Sequence, residues 1–185
     1  MGLRVAYLEL DDFRNASSRR VGLSGQTTVL VGPNASGKTN TVEALQLLTA
    51  GRSFRHPTPS QLVREGAVRG RAQARLEGDG RVIDVRVDVA PGKKAFFRNG
   101  KRLPASDVAG SLMSVLFTPD DLALVKRGAS GRRDELDDFG RQAAPGYSRL
   151  LTAYQRTVEQ RNRLLKEDSP DLGLLDAWDA SVAAG

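Results

Sequence analysis

The sequence predicts an α/β fold in two parts, a mixed lobe over residues 1–125 with antiparallel hairpins and a partial helical arm over residues 126–185. Three observations predict it. Residues Gly32-Pro33-Asn34-Ala35-Ser36-Gly37-Lys38-Thr39 spell G-x-x-x-x-G-K-T between an apolar, β-rich run and a helix-forming run. Two runs of alternating apolar and polar residues follow, and an Asn-Gly pair comes after them. The remainder of the chain carries helical spacing with helix start signals.

The elements follow in order. Val5-Ala6-Tyr7-Leu8-Glu9-Leu10 reads as a first strand ending at Asp11-Asp12. Phe13-Arg14-Asn15 and a polar stretch come next. Thr27-Thr28-Val29-Leu30-Val31 reads as the strand that feeds the glycine loop, and Thr41–Leu48 as the helix behind it. Strand, glycine loop and helix in this order make a phosphate cradle. Gly32 and Gly37 lack Cβ, so the backbone can bend and aim its N–H groups at an anion. Lys38 is placed to reach β/γ-phosphates, and the Thr39 hydroxyl is placed to take one Mg²⁺ position. A bare glycine turn that binds nothing is the plain alternative, but such a turn has no need of a lysine at Lys38.

Gly51 stands just past the helix as a C-cap. Residues 52–61 hold Pro57 and Pro59 and read as a loop. Ala72–Leu76 and Val82–Val89 read as antiparallel strands; in the second, Ile83, Val85, Val87 and Val89 alternate with Val82, Asp84, Arg86 and Asp88. Asn99-Gly100 predicts a type I′ hairpin. Lys93-Lys94 and Lys101-Arg102 flank it, around what reads as a buried Phe96–Phe97 pair. Leu112–Phe117 reads as a short apolar strand. Thr118 as N-cap, Pro119 at the first helical position, and Asp120 and Asp121 against the positive helix end then start a helix. Helices are expected over Arg132–Gln142, over Pro145–Lys166, and over Asp171–Ala184 behind Ser169-Pro170. In the second, Tyr147, Leu151, Tyr154, Val158, Arg161 and Leu165 form a seam that wants a partner helix. The third carries Leu172, Leu175 and Trp178 on one face, where Trp178 reads as core. His56, the single histidine, reads as a loop residue without a catalytic part.

Composition bounds the class. Of 185 residues, 39% are hydrophobic and 27% charged, as in a globular protein. Cysteine is absent, which excludes disulfides and thiolate metal sites and fits a reducing, cytoplasmic location. No apolar run approaches a membrane span. The net charge of +6 is uneven: residues 1–110 carry 18 basic and 10 acidic side chains, residues 111–185 carry 10 and 12. A basic front suits phosphate-bearing partners, nucleotide or nucleic acid. A purely parallel P-loop domain would alternate strand and helix throughout, whereas hairpins follow the loop helix here; that is the layout of an ABC-type ATPase head. No Asn-Lys-x-Asp motif supports a GTPase.

These residues together resemble the RecF family of DNA replication and repair ATPases, which are related to SMC-type heads. The matching pieces are Leu8-Glu9-Leu10 through Phe13-Arg14-Asn15, and the glycine loop running through Gly37-Lys38-Thr39-Asn40 to Glu43-Ala44. Gly51-Arg52-Ser53-Phe54-Arg55, Phe117–Leu122, Arg132-Arg133 and Tyr154-Gln155-Arg156 through Lys166 follow in family order. The resemblance implies ATP and Mg²⁺ as cofactors. Its nucleotide contacts are Gly32, Pro33, Asn34, Ala35, Ser36, Gly37, Lys38, Thr39, Asn40, Arg14 and Asn15, with Thr39 on the metal and Ser53 and Arg55 nearby. The Asp120-Asp121 stretch matches the link from head to arm, where related ATPases sense Mg²⁺. It further implies a homodimer closing on ATP, single-stranded or gapped DNA and the mediators RecO and RecR as partners, loading of recombinase at gaps, and no membrane.

Three departures qualify it. The family has Asn-Gly where this chain has Asn34-Ala35. The usual hydrophobic–aspartate pair after the two arginines is replaced by Asp134-Glu135-Leu136-Asp137-Asp138. A signature motif and a Walker B strand ending in acids are missing, since Asp120 falls past Pro119 and past the strand end. Family members are longer, so the chain resembles the front half of a RecF and is expected not to hydrolyse ATP alone. A non-hydrolytic nucleotide-binding assembly module, or an unrelated P-loop NTPase, are the other readings.

Overall fold

The computed structural model describes residues 2–23, 25–109, 112–119, 128–144, 146–169 and 171–184. They fall into two compact units, Met1–Phe117 and Thr118–Gly185. The domain boundary expected at residue 125, the Asp120-Asp121 pair, Pro145 and Pro170 lie outside the described residues.

A six-stranded antiparallel sheet frames the first unit, built from β1 (Arg4–Phe13), β2 (Ala16–Gly22), β3 (Gly70–Gly78), β4 (Arg81–Ala90), β5 (Lys93–Arg98) and β6 (Lys101–Leu103) in the order β2-β1-β3-β4-β5-β6. Period-two alternation sends Leu8, Leu10, Ala72, Ala74, Leu76, Val85, Val87 and Val89 to one face, all buried. The helix α1 (Lys38–Ala50) covers that face with Ala44, Leu47 and Leu48. It ends at Gly51, whose left-handed φ of 75° and N–H bond to the Leu47 carbonyl (3.1 Å) make the expected C-cap. On the opposite face arginines meet acids, Arg20–Glu9, Arg71–Asp88 and Arg75–Asp84, at 2.9–3.0 Å. Such exposed pairs add little stability.

The β5–β6 turn has φ of 49° at Asn99 and 76° at Gly100, as the Asn-Gly signal requires. Phe96 and Phe97 are not a buried pair. Neighbours on a strand face opposite ways, so Phe96 enters the core while Phe97 lies under the Arg86 guanidinium, 4.2 Å from the ring centroid.

Two expected strands are corrected. Thr27–Val31 and Leu112–Phe117 join no sheet, although both run through β-forming residues. Val29 and Val31 are 76% and 89% exposed, and Val115 is 90% exposed. A strand forms only beside a partner that takes its backbone groups, and among the described residues no partner strand flanks either segment. Residues 112–118 nevertheless alternate half-buried and exposed side chains. Their inner row is tied to α1 by the Ser114 and Thr49 hydroxyls, 2.6 Å apart.

Two elements the pattern missed are β2 and α2 (Pro59–Leu62). β2 is a polar edge strand, so it lacks the alternation that marks a half-buried one. α2 is a single turn within the Pro57–Pro59 loop, fixed by Pro59 at its start and a reciprocal Thr58–Gln61 capping box.

Within the second unit are α3 (Ala129–Ala143), α4 (Tyr147–Leu164) and α5 (Leu172–Ala184). α4 meets α3 where the Tyr147 hydroxyl donates to Asp137 (2.8 Å). Gly140 permits the approach, since a Cβ there would lie 2.5 Å from the Tyr147 ring. α4 meets α5 through an Arg161–Asp179 ion pair, and Leu164 is buried. The rest of the expected seam is looser: Tyr154 and Leu165 are exposed and Trp178 is half-buried. No described helix is long and apolar enough to cross a membrane.

Candidate nucleotide-binding site

Chain geometry makes the loop before α1 a cradle. Gly37 is the N-cap in a left-handed conformation (φ 91°), and the Thr41 N–H reaches its carbonyl at 3.0 Å to open the helix. No side chain caps this N-terminus, and its first turn holds no acid. The positive end of α1 is therefore left to an anion from outside. The φ of 91° favours glycine at Gly37, and a Cβ there would displace the Arg19 guanidinium (2.7 Å) and the Asn15 side-chain oxygen (2.8 Å). The Lys38 ammonium arches back over the loop and donates to the carbonyls of Gly32 (2.7 Å) and Pro33 (2.8 Å). That places it at the mouth, where a phosphate competes with two neutral acceptors for a full charge. Thr39 is exposed beside it. No group of three His, Cys, Asp or Glu that could hold a metal occurs among the described residues. A metal at Thr39 would take further ligands from phosphate oxygens and water.

Ala35 takes φ of 63°, the left-handed region in which an alanine is strained by about 1–2 kcal/mol. The departure from Asn-Gly is therefore a strained residue inside the cradle. Side chains from other elements hold the loop there: Asn15 donates to the Ala35 carbonyl and Arg19 to the Ser36 carbonyl, both at 2.8 Å. Asn40 in turn donates to the Asn15 oxygen at 2.8 Å.

Arg14 is engaged by Glu43 and Gln61. Its Nε and Nη2 grip both oxygens of Glu43 at 2.9 and 2.6 Å, and its Nη1 reaches the Gln61 carbonyl at 2.8 Å. Glu43 is fully buried on α1. Ser53 donates to it at 2.6 Å and Arg55 at 3.4 Å. Burial pushes the Glu43 carboxyl up, but the hydrogen bonds from Arg14 and Ser53 and the charges of Arg14 and Arg55 outweigh it, and the net shift is downward. Arg14, Asn15, Asn40, Arg55, Gln61 and Arg64 line an open cleft beside the loop.

Asn15 and Asn40 thus meet the Gly32–Thr39 loop, and Arg14, which the resemblance places beside Asn15, lines the adjoining cleft with its guanidinium held by Glu43. Sequence reasoning assigned no site role to Arg19 or Glu43. Arg19 gives no signal in a polar stretch. Glu43 does, as a charge among the buried residues Ala44, Leu47 and Leu48 of one helix.

Fold and site together define a P-loop nucleotide-binding domain of the ATPase-head type. The chain belongs to the family described as AAA domain, putative AbiEii toxin, type IV TA system, whose model matches residues 27–182. It is 36% identical over 192 residues to the DNA replication and repair protein RecF of Streptomyces avermitilis, covering 98% of this chain and 52% of that protein. It is 39% identical over 189 residues to RecF of Clavibacter sepedonicus, covering 97% of this chain and 46% of that one. A solved structure of the recombination mediator protein RecF with ATP, in the RecFOR pathway, superposes with a TM-score of 0.86 at 29% identity, over 98% of this chain and 50% of that chain. The RecF resemblance is thereby shown, for the N-terminal part of that protein. The chain spans about half the length of the curated relatives it matches.

Proposed function

We propose that this chain is the ATP-binding front lobe of a RecF-type protein that works on single-stranded or gapped DNA in the cytoplasm, alongside RecO- and RecR-type mediators. The observation that carries it is the uncapped start of α1, which opens onto Gly37 and Lys38 behind a glycine loop. In this reading the N–H groups of Asn34 through Lys38 bind phosphate oxygens, Lys38 takes the β/γ-phosphates, and Asn40 and Asn15 brace the loop. Gly32 and Pro33 shape its entry, and Arg14 acts by holding Glu43. Mg²⁺ when bound supplies charge neutralisation between the phosphates, with Thr39 as its protein ligand.

Hydrolysis is assigned elsewhere. Phosphoryl transfer needs a metal-holding acid and a group that orients water. Glu43, the carboxylate on α1, is buried and already accepts hydrogen bonds from Arg14, Ser53 and Arg55, so it is not free to act as that base. We assign the missing groups, and strands to pair Thr27–Val31 and Leu112–Phe117, to the half of the relatives that this chain does not match. A second ATP-bound copy of the complete head would close on the first.

The test is nucleotide choice, with and without gapped DNA. Saturable binding of ATP over GTP, with DNA affinity raised by ATP, is expected. Preference for guanine would remove the RecF-type reading.

A further inference from the structure

Five side chains around α1 close into a ring. Arg14 grips the buried Glu43, and its chain neighbour Asn15 accepts from Asn40. Asn40 accepts from Arg55 at 2.9 Å, and Arg55 returns to Glu43 at 3.4 Å. The ring joins the β1–β2 turn, the first two turns of α1 and the segment after Gly51. Its arm to the phosphate loop is the Asn15 bond to the Ala35 carbonyl, at 2.8 Å. That carbonyl belongs to the residue held at φ of 63° without being glycine. A strained backbone persists only where its surroundings over-determine it. Arg14, the chain neighbour of Asn15, is also in the left-handed region (φ 54°).

We propose that this ring positions the phosphate loop, with Glu43 as its anchor: it fixes Asn15 under the Ala35 carbonyl and so keeps the loop's N–H groups aimed at an anion. Glu43 is a positioning residue that touches no ligand. Arg55, whose side chain is 39% exposed, is an exposed member of the ring, so a change there reaches the loop without passing through the core. The proposal rests on the ATP-binding reading for its consequence, and on the loop alone for its geometry.

The experiment uses this chain with Glu43→Gln, Asn15→Ala and the double variant, each checked for folding by thermal unfolding. Glutamine keeps the shape and removes the charge that holds Arg14 and Arg55. In the nucleotide-free protein, ¹⁵N order parameters at Ala35 and Ser36 are expected to fall from about 0.85 to below about 0.6 in each variant, with β3 and β4 unchanged. Mg-ATP affinity is expected to fall roughly tenfold in either single variant, as for loss of one charge-assisted contact. The double variant is expected to stay near tenfold rather than roughly a hundredfold, because both changes cut one path. A folded Glu43→Gln protein with a rigid loop overturns the proposal, as does a multiplicative loss in the double variant. If the unaltered chain binds no ATP, the functional reading fails while the order parameters still decide the ring. If Glu43→Gln does not fold, Arg55→Ala opens the ring from its exposed side and is judged by the same two readouts.

Discussion

Replacing Val31 by asparagine tests how the segment before the phosphate loop stands in this chain. Burying a valine side chain fully is worth about 1.5–3 kcal/mol. Val31 is 89% exposed, so only about a tenth of that, roughly 0.2–0.3 kcal/mol, is at stake on the exposed-area scale. Asparagine at a buried strand position would instead lose the whole apolar term and add about 1–3 kcal/mol for a buried amide. Urea unfolding of the unaltered chain and of Val31→Asn, each at low and high protein concentration, separates the cases. The structure predicts a change under about 0.5 kcal/mol, the ordinary range for a surface substitution. Val87→Asn, at a fully buried position of β4, serves as the contrasting variant and loses several times more. A loss above about 2 kcal/mol for Val31→Asn at both concentrations would refute the reasoning, because it would mean the segment is packed within the chain. A loss seen only at high concentration would show that copies of the chain pair through it.

Three further outcomes are expected. Gly51→Val places a β-branched residue at φ of 75° with its Cβ 2.7 Å from the Ala105 carbonyl oxygen, and denaturant unfolding will show a loss of about 2–3 kcal/mol. The Glu43 carboxyl is held below its ordinary value of 4.5, so its contribution is complete above 4.5 and disappears as pH falls through the lowered value; unfolding followed across that acid range will show a slope that Glu43→Gln flattens. Gly140→Ala forces a Cβ to 2.5 Å from the Tyr147 ring; this cost, less the up to about 1 kcal/mol of helix propensity that alanine returns within α3, will lower the stability of the helical unit by about 1–2 kcal/mol, with Mg-ATP affinity unchanged.

Much of the fold was legible because its signals are local. The glycine loop, the Gly51 cap, the alternation in β3 and β4 and the Asn99-Gly100 turn each state their conformation within a few residues. Thr27–Val31 and Leu112–Phe117 were misread for the opposite reason: their composition states a propensity for strand, but pairing depends on a neighbour that these residues do not name. β2 was missed because an edge strand with polar residues on both faces has no period to read. At the site, the motif located Gly32 through Thr39, and the RecF resemblance added Arg14 and Asn15. The geometry gave these two different work, since Asn15 reaches the loop while Arg14 turns to a buried carboxylate. Arg19 could not be found from a polar run, because its meeting with the Ser36 carbonyl depends on how the β1–β2 hairpin lies over the loop.

The measurement that bears most directly on the central claim is Mg-ATP binding by calorimetry, for the unaltered chain and for Lys38→Ala, with phosphate release followed in the same samples. Lys38 is the one full charge within the Gly32–Thr39 loop. Its removal should weaken binding by at least about tenfold, the size of one charge-assisted contact. The account predicts saturable binding by the unaltered chain, that loss in the variant, and no phosphate release from either. Equal affinity in the two proteins, or none in the first, would contradict the phosphate site, and steady turnover would contradict the assignment of hydrolysis to the half of the relatives that this chain does not match.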